Sequence, residues 1–163
     1  RGDVYKRQSP HRAPNHCLVN EYLPGQGILP HQDGPAYFPV VATVSLGGTT
    51  LLDEYAWERD EADARASRPY PQEPAFSLFQ EPRSLLVTTG SAYEQFLHGI
   101  AERAADEPAH LARIANVEQL ADAQLREHCR AARRGGAEPL ARAQRVSLTF
   151  RDVHRVRRMP KIG

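Results

Sequence analysis

The sequence predicts a mostly β domain, a sandwich or barrel of short strands that carries one helical insertion. Short segments of alternating or β-branched residues recur between turns that contain Pro or Gly. Residues 101–134 differ, because they are rich in Ala, Glu, Arg and Leu. The alternating pattern returns at residues 144–156, so the helical stretch is predicted to be an insertion on a loop of the β fold.

The first predicted strands occupy the N-terminal half. HCLVNEY alternates and ends at a Pro-Gly loop, and FPVVATVSLGG is β-branched and ends at two glycines. TTLLDEY follows so closely that it could pair with FPVVATVSLGG as a hairpin. FSLFQ and SLLVTT flank a Glu-Pro-Arg turn, and SAYEQFLHG reads as a brief turn or helix leading to His98. These predicted strands cover residues 16–22, 38–48, 49–55, 76–80 and 84–89.

The segments between and around these strands complete the predicted domain. Residues 57–75 are charged and Pro-rich, which is typical of a surface loop. The insertion is placed at about residues 101–136, where apolar side chains fall near helical spacing and two glycines end the pattern. The apolar set is Leu111, Ile114, Val117, Leu120 and Leu125.

The ends of the chain lie outside this pattern. Residues 1–10 show no periodicity and no initiator Met, so they are expected to be non-native or disordered, with part of the N-terminal region missing. The domain itself is expected at residues 15–158, and residues 159–163 form a tail.

Composition limits the classes of function. The 163 residues carry a net charge of +1, which suits one globular domain and creates no global field that would demand a nucleic-acid partner. No run reaches the roughly 18 apolar residues that a membrane helix needs. Cys17 and Cys129 are too few for a disulfide framework, so reduced thiols in an intracellular protein are expected.

Basic residues concentrate near the C-terminus. The stretch from Arg142 to Lys161 contains seven Arg and Lys residues and one acidic residue, Asp152. They could form a local basic face or simply a solvated strand and tail.

His31 and Asp33 are the first candidate metal ligands. In an extended segment, side chains at i and i+2 point to the same side, so this imidazole and carboxylate could bind one transition metal. His98 is the candidate third ligand, and two His with one carboxylate form the facial triad of non-haem Fe(II) oxygenases. A turn histidine at position 31 and a half-buried structural histidine at position 98 are the alternatives. His16 is the one plausible rival among the other histidines.

The stretch RVSLTFR, residues 145–151, supplies candidate anion ligands. Its odd positions are polar and its even positions apolar, so a strand here would turn an apolar face to a core and a polar face the other way. The guanidinium fork of arginine matches a carboxylate. The two arginines lie ~20 Å apart along an extended chain, so one small dicarboxylate would not span both. An edge strand with a polar outer face is the alternative. The polar set is Arg145, Ser147, Thr149 and Arg151, and Asn20 and Tyr22 could bind the same anion.

Taken in order, these motifs resemble a known family. Asn-x-Tyr, Pro-Gly-x-Gly-Ile-x-Pro-His-x-Asp, His98 and Arg-x5-Arg are similar to the AlkB family of Fe(II)- and 2-oxoglutarate-dependent dioxygenases. YLPGQGILPHQDGP, VSLG, EPRSLLV, LHGI and RVSLTFR most resemble the AlkB homolog 6 subgroup. The resemblance covers roughly residues 15–158 and implies a double-stranded β-helix, or jelly-roll.

The resemblance also implies roles and an activity. His31, Asp33 and His98 would bind Fe(II), and Arg145 would pair with the distal carboxylate of 2-oxoglutarate. Asn20, Tyr22, Ser147 and Arg151 would surround that cosubstrate, with Thr149 a weaker candidate. With O2 as second cosubstrate, the expected reaction is oxidative dealkylation of N-alkylated nucleobases, single-stranded or flipped out of a duplex. A protein hydroxylase or demethylase, or a low-activity nucleic-acid-binding homolog, stays open. A monomer in nucleus and cytoplasm is expected.

Three departures from the family pattern limit what the resemblance implies. Better-known members carry Asn where Ser147 stands, so one cosubstrate hydrogen bond is expected to differ. Residues 98 and 145 are separated by 47 positions, a wide gap that the insertion fills. The region before Asn20 is short, so substrate contacts are not carried over from the family.

Overall fold

Two four-stranded antiparallel sheets dominate the computed structural model, which describes residues 13–56 and 71–154. Sheet one has the strand order β1-β10-β3-β6 and sheet two the order β2-β7-β4-β5. Apart from β4 and β5, which pair within sheet two, successive strands of these two sheets alternate between them, which is the double-stranded β-helix that the resemblance implied. The strands are β1 (His16–Tyr22), β2 (Ile28–His31), β3 (Val40–Gly47), β4 (Thr50–Ala56), β5 (Phe76–Gln80), β6 (Ser84–Thr89), β7 (Phe96–Ile100), β8 (Ala105–Asp106), β9 (Leu140–Ala141) and β10 (Arg145–Arg151).

Helices are short and few in the described ranges. They are α1 (Ser91–Glu94), α2 (Pro108–Leu111) and α3 (Ala123–Arg133), with one 3-10 turn at Val117–Gln119. Within those ranges, no helix is both long enough and apolar enough to cross a membrane.

Strand β10 lies inside sheet one, between β1 and β3, so the edge-strand alternative for RVSLTFR is wrong. Its polar side chains are also the more buried set, and its apolar residues are only partly buried. The prediction that the apolar set would face a core is therefore wrong. The outward face of sheet one instead exposes large apolar side chains, among them Val19, Leu46, Leu85 and Val87.

Strands β3 and β4 do not form the hairpin that their closeness in sequence suggested. Strand β3 pairs with β10 and β6 in sheet one, whereas β4 pairs with β5 and β7 in sheet two. Gly47 and Gly48 make the crossing between sheets possible. Gly47 has a φ of +77°, and a Cβ on Gly48 would lie 2.5 Å from the carbonyl oxygen of Ala143.

The insertion is only partly helical, which corrects the prediction for residues 101–136. A short strand, one turn of helix and a 3-10 turn precede the single regular helix, α3. Asp122 caps α3 by accepting hydrogen bonds from the backbone N–H groups of Gln124 and Leu125. Gly135, with a φ of +76°, follows its last turn, as the two glycines predicted.

The largest apolar cluster lies between the insertion and the outer face of sheet two. Leu51 on β4 and Phe79 on β5 pack there against buried side chains of the insertion: Leu111, Ile114, Val117, Leu120, Cys129 and Ala132. The apolar residues picked out by their helical spacing are thus core residues, with Leu125 partly buried beside them. The insertion thus supplies an apolar core outside the barrel, separate from the cavity between the sheets.

Buried ion pairs fasten the insertion to sheet two. Arg142 donates two hydrogen bonds, of 2.7 and 2.9 Å, to the carboxylate of Asp106, and both side chains are buried. Arg103 bridges the same carboxylate to Asp53 on β4, at 3.5 and 3.0 Å.

A basic face, one of the two possibilities for the C-terminal stretch, is not formed by the residues of that stretch that the structure describes. Arg142 forms an ion pair with Asp106, Arg145 is buried in the barrel, and Arg151 forms an ion pair with Asp33. The remaining basic residues of that stretch, from residue 155 on, lie outside the described residues.

Candidate active site

Strands β2 and β7 bring the three candidate metal ligands together. His31 ends β2 and lies opposite His98 of β7, with ring centroids 4.4 Å apart. Asp33 follows two residues after His31. One ligand atom from each of the three side chains lies within 4.8 Å of the others, and within the described residues no other such group of His, Cys, Asp or Glu exists.

Neither β2 nor β7 was predicted from the sequence. Residues 28–31 were read as part of the Pro/Gly loop, and the segment before His98 as a turn or brief helix. Glycines explain why the strands can meet: a Cβ on Gly27 would lie 2.1 Å from the carbonyl oxygen of Ile100, and one on Gly99 would lie 3.0 Å from that of Ile28. These close backbone approaches place His31 beside His98.

The chemistry of the three donors fits a divalent metal ion. Burial, and then the neighbouring His31, lowers the pKa of His98 to about 4, so its imidazole is neutral and offers a lone pair at neutral pH. The Asp33 carboxylate is almost fully buried and lacks a well-directed hydrogen bond on Oδ1 within the described residues. A buried carboxylate oxygen with two imidazoles beside it is the donor set of the facial triad.

Arg151 contacts the metal end of the site. Its guanidinium forms an ion pair with Asp33 and lies 4.9 Å from the centre of the Tyr37 ring. Arg151 was predicted to contact 2-oxoglutarate, whereas the contact that the structure shows is with the carboxylate ligand. The rival candidate His16 lies opposite Arg151 in the strand register and stands outside the ligand group.

Arg145 lies at the other end of the same strand face. It is 3% exposed, and burial lowers its pKa. Its guanidinium carbon is 5.5 Å from the centre of the Tyr22 ring, and within the described residues no carboxylate pairs with it. A buried arginine that lines a cavity without a carboxylate partner is suited to pair with an anion.

The remaining candidates line the same cavity between the sheets. Burial raises the pKa of the Tyr22 phenol, although Arg145 and a hydrogen bond from Asn20 lower it in part. Ser147 is buried opposite Asn20, and the Thr149 hydroxyl lies 3.4 Å from that of Thr43. The structure thus brings all nine predicted residues to one cavity, while their individual roles stay predictions.

Two residues of the anion pocket were missed in the sequence. Ser45, on the adjacent strand β3, and Gln80, on β5 of the other sheet, both hydrogen-bond Arg145. Ser45 had a signal, since it has the same parity as Thr43 on a β-branched strand. Gln80 is a single polar residue at the end of FSLFQ, and nothing local marks it.

The comparisons with known proteins agree with this geometry. Residues 3–151 match the family described as the 2OG-Fe(II) oxygenase superfamily. The chain belongs to the 2OG-Fe(II) oxygenase superfamily. Membership in this superfamily implies Fe(II) and 2-oxoglutarate.

Relatives of this oxygenase include AlkB homologues, which confirms the resemblance drawn from the motifs. It is 37% identical over 147 residues to "Probable RNA/DNA demethylase ALKBH6" of Danio rerio, covering 89% of this chain and 56% of that protein. It is 29% identical over 94 residues to "tRNA (carboxymethyluridine(34)-5-O)-methyltransferase alkbh8" of Xenopus tropicalis, covering 57% of this chain and 13% of that protein. The chain thus spans about half the length of the Danio rerio relative and a much smaller share of the Xenopus tropicalis relative.

Among solved structures, "The structure of OsALKBH1" matches with a TM-score of 0.44 and 20% identity. The match covers 86% of this chain and 48% of that one.

Proposed function

We propose that this oxygenase removes N-alkyl groups from nucleobases in nucleic acid. One observation carries the proposal: the ligand atoms of His31, Asp33 and His98 converge within 4.8 Å at the cavity that Arg145 also lines. A metal and a dicarboxylate can thus bind side by side. The name of the Danio rerio relative, which includes RNA/DNA demethylase, supports the choice of nucleic acid.

The chain's own residues would divide the work. His31, Asp33 and His98 would hold Fe(II), which with 2-oxoglutarate and O2 supplies the oxidising power when bound. Arg151 would hold Asp33 in place through their ion pair. Arg145 and Tyr22 would bind the distal carboxylate, and a hydroxylated N-alkyl group would then leave the base as an aldehyde.

The test is succinate production by the purified protein with Fe(II), 2-oxoglutarate and ascorbate. We expect single-stranded DNA or RNA carrying N-methylated bases to stimulate succinate formation and to lose methyl groups as formaldehyde. His31→Ala should abolish both signals, whereas His16→Ala, which changes a nearby imidazole outside the ligand group, should retain them. Stimulation by a peptide and not by either nucleic acid would refute the choice of substrate.

The partner, assembly and location remain proposals. We propose that the protein acts as a monomer on its nucleic acid, in the nucleus and cytoplasm. Support for an intracellular location comes from its two cysteines, Cys17 and Cys129, which are both unpaired. Sedimentation of the purified protein and imaging of a tagged version in cells would check these proposals.

A further inference from the structure

We propose that Gln80 is a positioning and specificity residue for the dicarboxylate cosubstrate. Its amide oxygen fixes the guanidinium of Arg145, and its amide nitrogen donates a hydrogen bond to the distal carboxylate. The inference rests on the proposed role of Arg145 as the group that binds this carboxylate.

Gln80 reaches Arg145 across the interior of the barrel. It is the last residue of β5 in sheet two, whereas Arg145 begins β10 in sheet one. Its Oε1 accepts hydrogen bonds from Nη2 of Arg145 at 2.5 Å and from the hydroxyl of Ser45 at 2.8 Å. The same Nη2 donates to Ser45 at 2.9 Å, which closes a triangle of buried side chains.

Hydrogen-bond chemistry fixes which way the Gln80 amide faces. A guanidinium carries donors only, so the amide atom that meets Arg145 must be the oxygen. The amide nitrogen is therefore turned away from Arg145. Within the described residues it donates to no other group, although Gln80 lines the cavity together with Arg145 and Tyr22.

Glutamine is suited to this position because it accepts hydrogen bonds without carrying charge. The charge of Arg145 meets no carboxylate in the described part of the chain, so it is available to an incoming anion. A glutamate at position 80 would hold Arg145 equally well but would neutralise it. It would also replace the amide donor by an oxygen that repels the distal carboxylate.

This contrast gives the test, which uses binding of 2-oxo acids and not turnover. Isothermal titration calorimetry with Mn2+ in place of Fe(II) measures the affinity for 2-oxoglutarate and for 2-oxobutyrate, which lacks the distal carboxylate. We expect Gln80→Glu to weaken the affinity for 2-oxoglutarate at least tenfold and to change the affinity for 2-oxobutyrate less than twofold. Gln80→Met introduces a neutral side chain of similar shape. It should weaken the affinity for 2-oxoglutarate several-fold, again without affecting the affinity for 2-oxobutyrate. Gln119→Glu makes the same charge change at an exposed site of the 3-10 turn and should change neither affinity.

The outcomes separate the inference from the assignment beneath it. Arg145→Met should abolish the preference for 2-oxoglutarate over 2-oxobutyrate; if the preference survives, the carboxylate does not bind at Arg145. If Arg145→Met abolishes the preference but both Gln80 variants bind 2-oxoglutarate as the parent does, only the role of Gln80 is overturned. An equal loss for both 2-oxo acids would show a merely structural role. Should Gln80→Glu fail to fold, Gln80→Met decides.

Discussion

Glu54 is a buried acid that neither the sequence motifs nor the proposed reaction accounts for. It lies on β4 opposite His98 of β7 and Phe76 of β5, so its side chain shares the interior face with them. It is 2% exposed, and its Oε2 has no hydrogen-bond partner in the described ranges. Burial, and then the charge of Asp53, raises the pKa of this carboxyl from 4.5 to about 8. We therefore expect the native protein to hold Glu54 protonated at neutral pH.

The sign and size of the effect on stability follow from linkage. The native state keeps a proton that the unfolded chain releases above pH 4.5, so the free energy of unfolding falls as pH rises from 4.5 to about 8. At 1.36 kcal/mol per pKa unit, the full loss is on the order of 5 kcal/mol. Roughly 3.5 kcal/mol of this loss in the free energy of unfolding occurs between pH 5 and pH 8. This is an upper figure, because residual structure in the denatured chain and water in the native interior both reduce the difference in pKa between the two states.

Glu54→Gln removes the ionisation while keeping the shape of the side chain. We expect Glu54→Gln to become more stable relative to the parent protein as pH rises. The measurement is urea unfolding of the metal-free proteins, monitored by circular dichroism. The gain in midpoint should be roughly 1 to 2 M urea between pH 5 and pH 8, for a slope of about 2 kcal/mol per M. Glu73→Gln, which changes an exposed carboxylate paired only with exposed Arg113, should show no such trend. A difference between Glu54→Gln and the parent that does not vary with pH would refute the reasoning.

Three further predictions concern the framework around the site. Asp106→Asn leaves Arg142 as a buried charge without its partner and should lower the free energy of unfolding by about 3–5 kcal/mol, measured by urea titration; a loss below 1 kcal/mol would contradict this. Gly27→Ala places a Cβ 2.1 Å from a backbone carbonyl of β7, and we expect it to cost roughly 1–3 kcal/mol in the same assay. Burial raises the pKa of the Cys129 thiol to about 11, so iodoacetamide at pH 8 should alkylate exposed Cys17 far faster, and mass spectrometry showing equal rates would disprove it.

The polar face of β10 was predictable because strand parity is a local property. Every second residue of RVSLTFR is polar, and the structure places all of them on one face. The expectation that the apolar face of β10 would pack on a core was wrong, because that face is only partly buried. The polar face lines the cavity between the sheets, and a separate apolar core lies between sheet two and the insertion.

The contacts of Arg145 with other strands could not be predicted from the sequence. Gln80 lies in sheet two and Arg145 in sheet one, and no local pattern reports how the strands alternate between the sheets. Ser45 meets Arg145 from β3, the adjacent strand of sheet one. The same alternation overturned the predicted hairpin of β3 and β4. The candidate metal ligands could be predicted because His31 and Asp33 stand two residues apart and His98 offers the third donor of a facial triad.

The polar interior also links ligand binding to stability. Arg145 is buried without a carboxylate partner in the described chain, and a buried unpaired charge is costly. A dicarboxylate that pairs with Arg145 binds the native state alone, so 2-oxoglutarate at 100 times its Kd should stabilise the Mn2+-loaded protein by about 2.7 kcal/mol. The same excess of 2-oxoglutarate should do little for Arg145→Met, in which the charge is gone. Differential scanning fluorimetry across a concentration series would test this link, and an equal rise in Tm for both proteins would show that the interior does not depend on the anion.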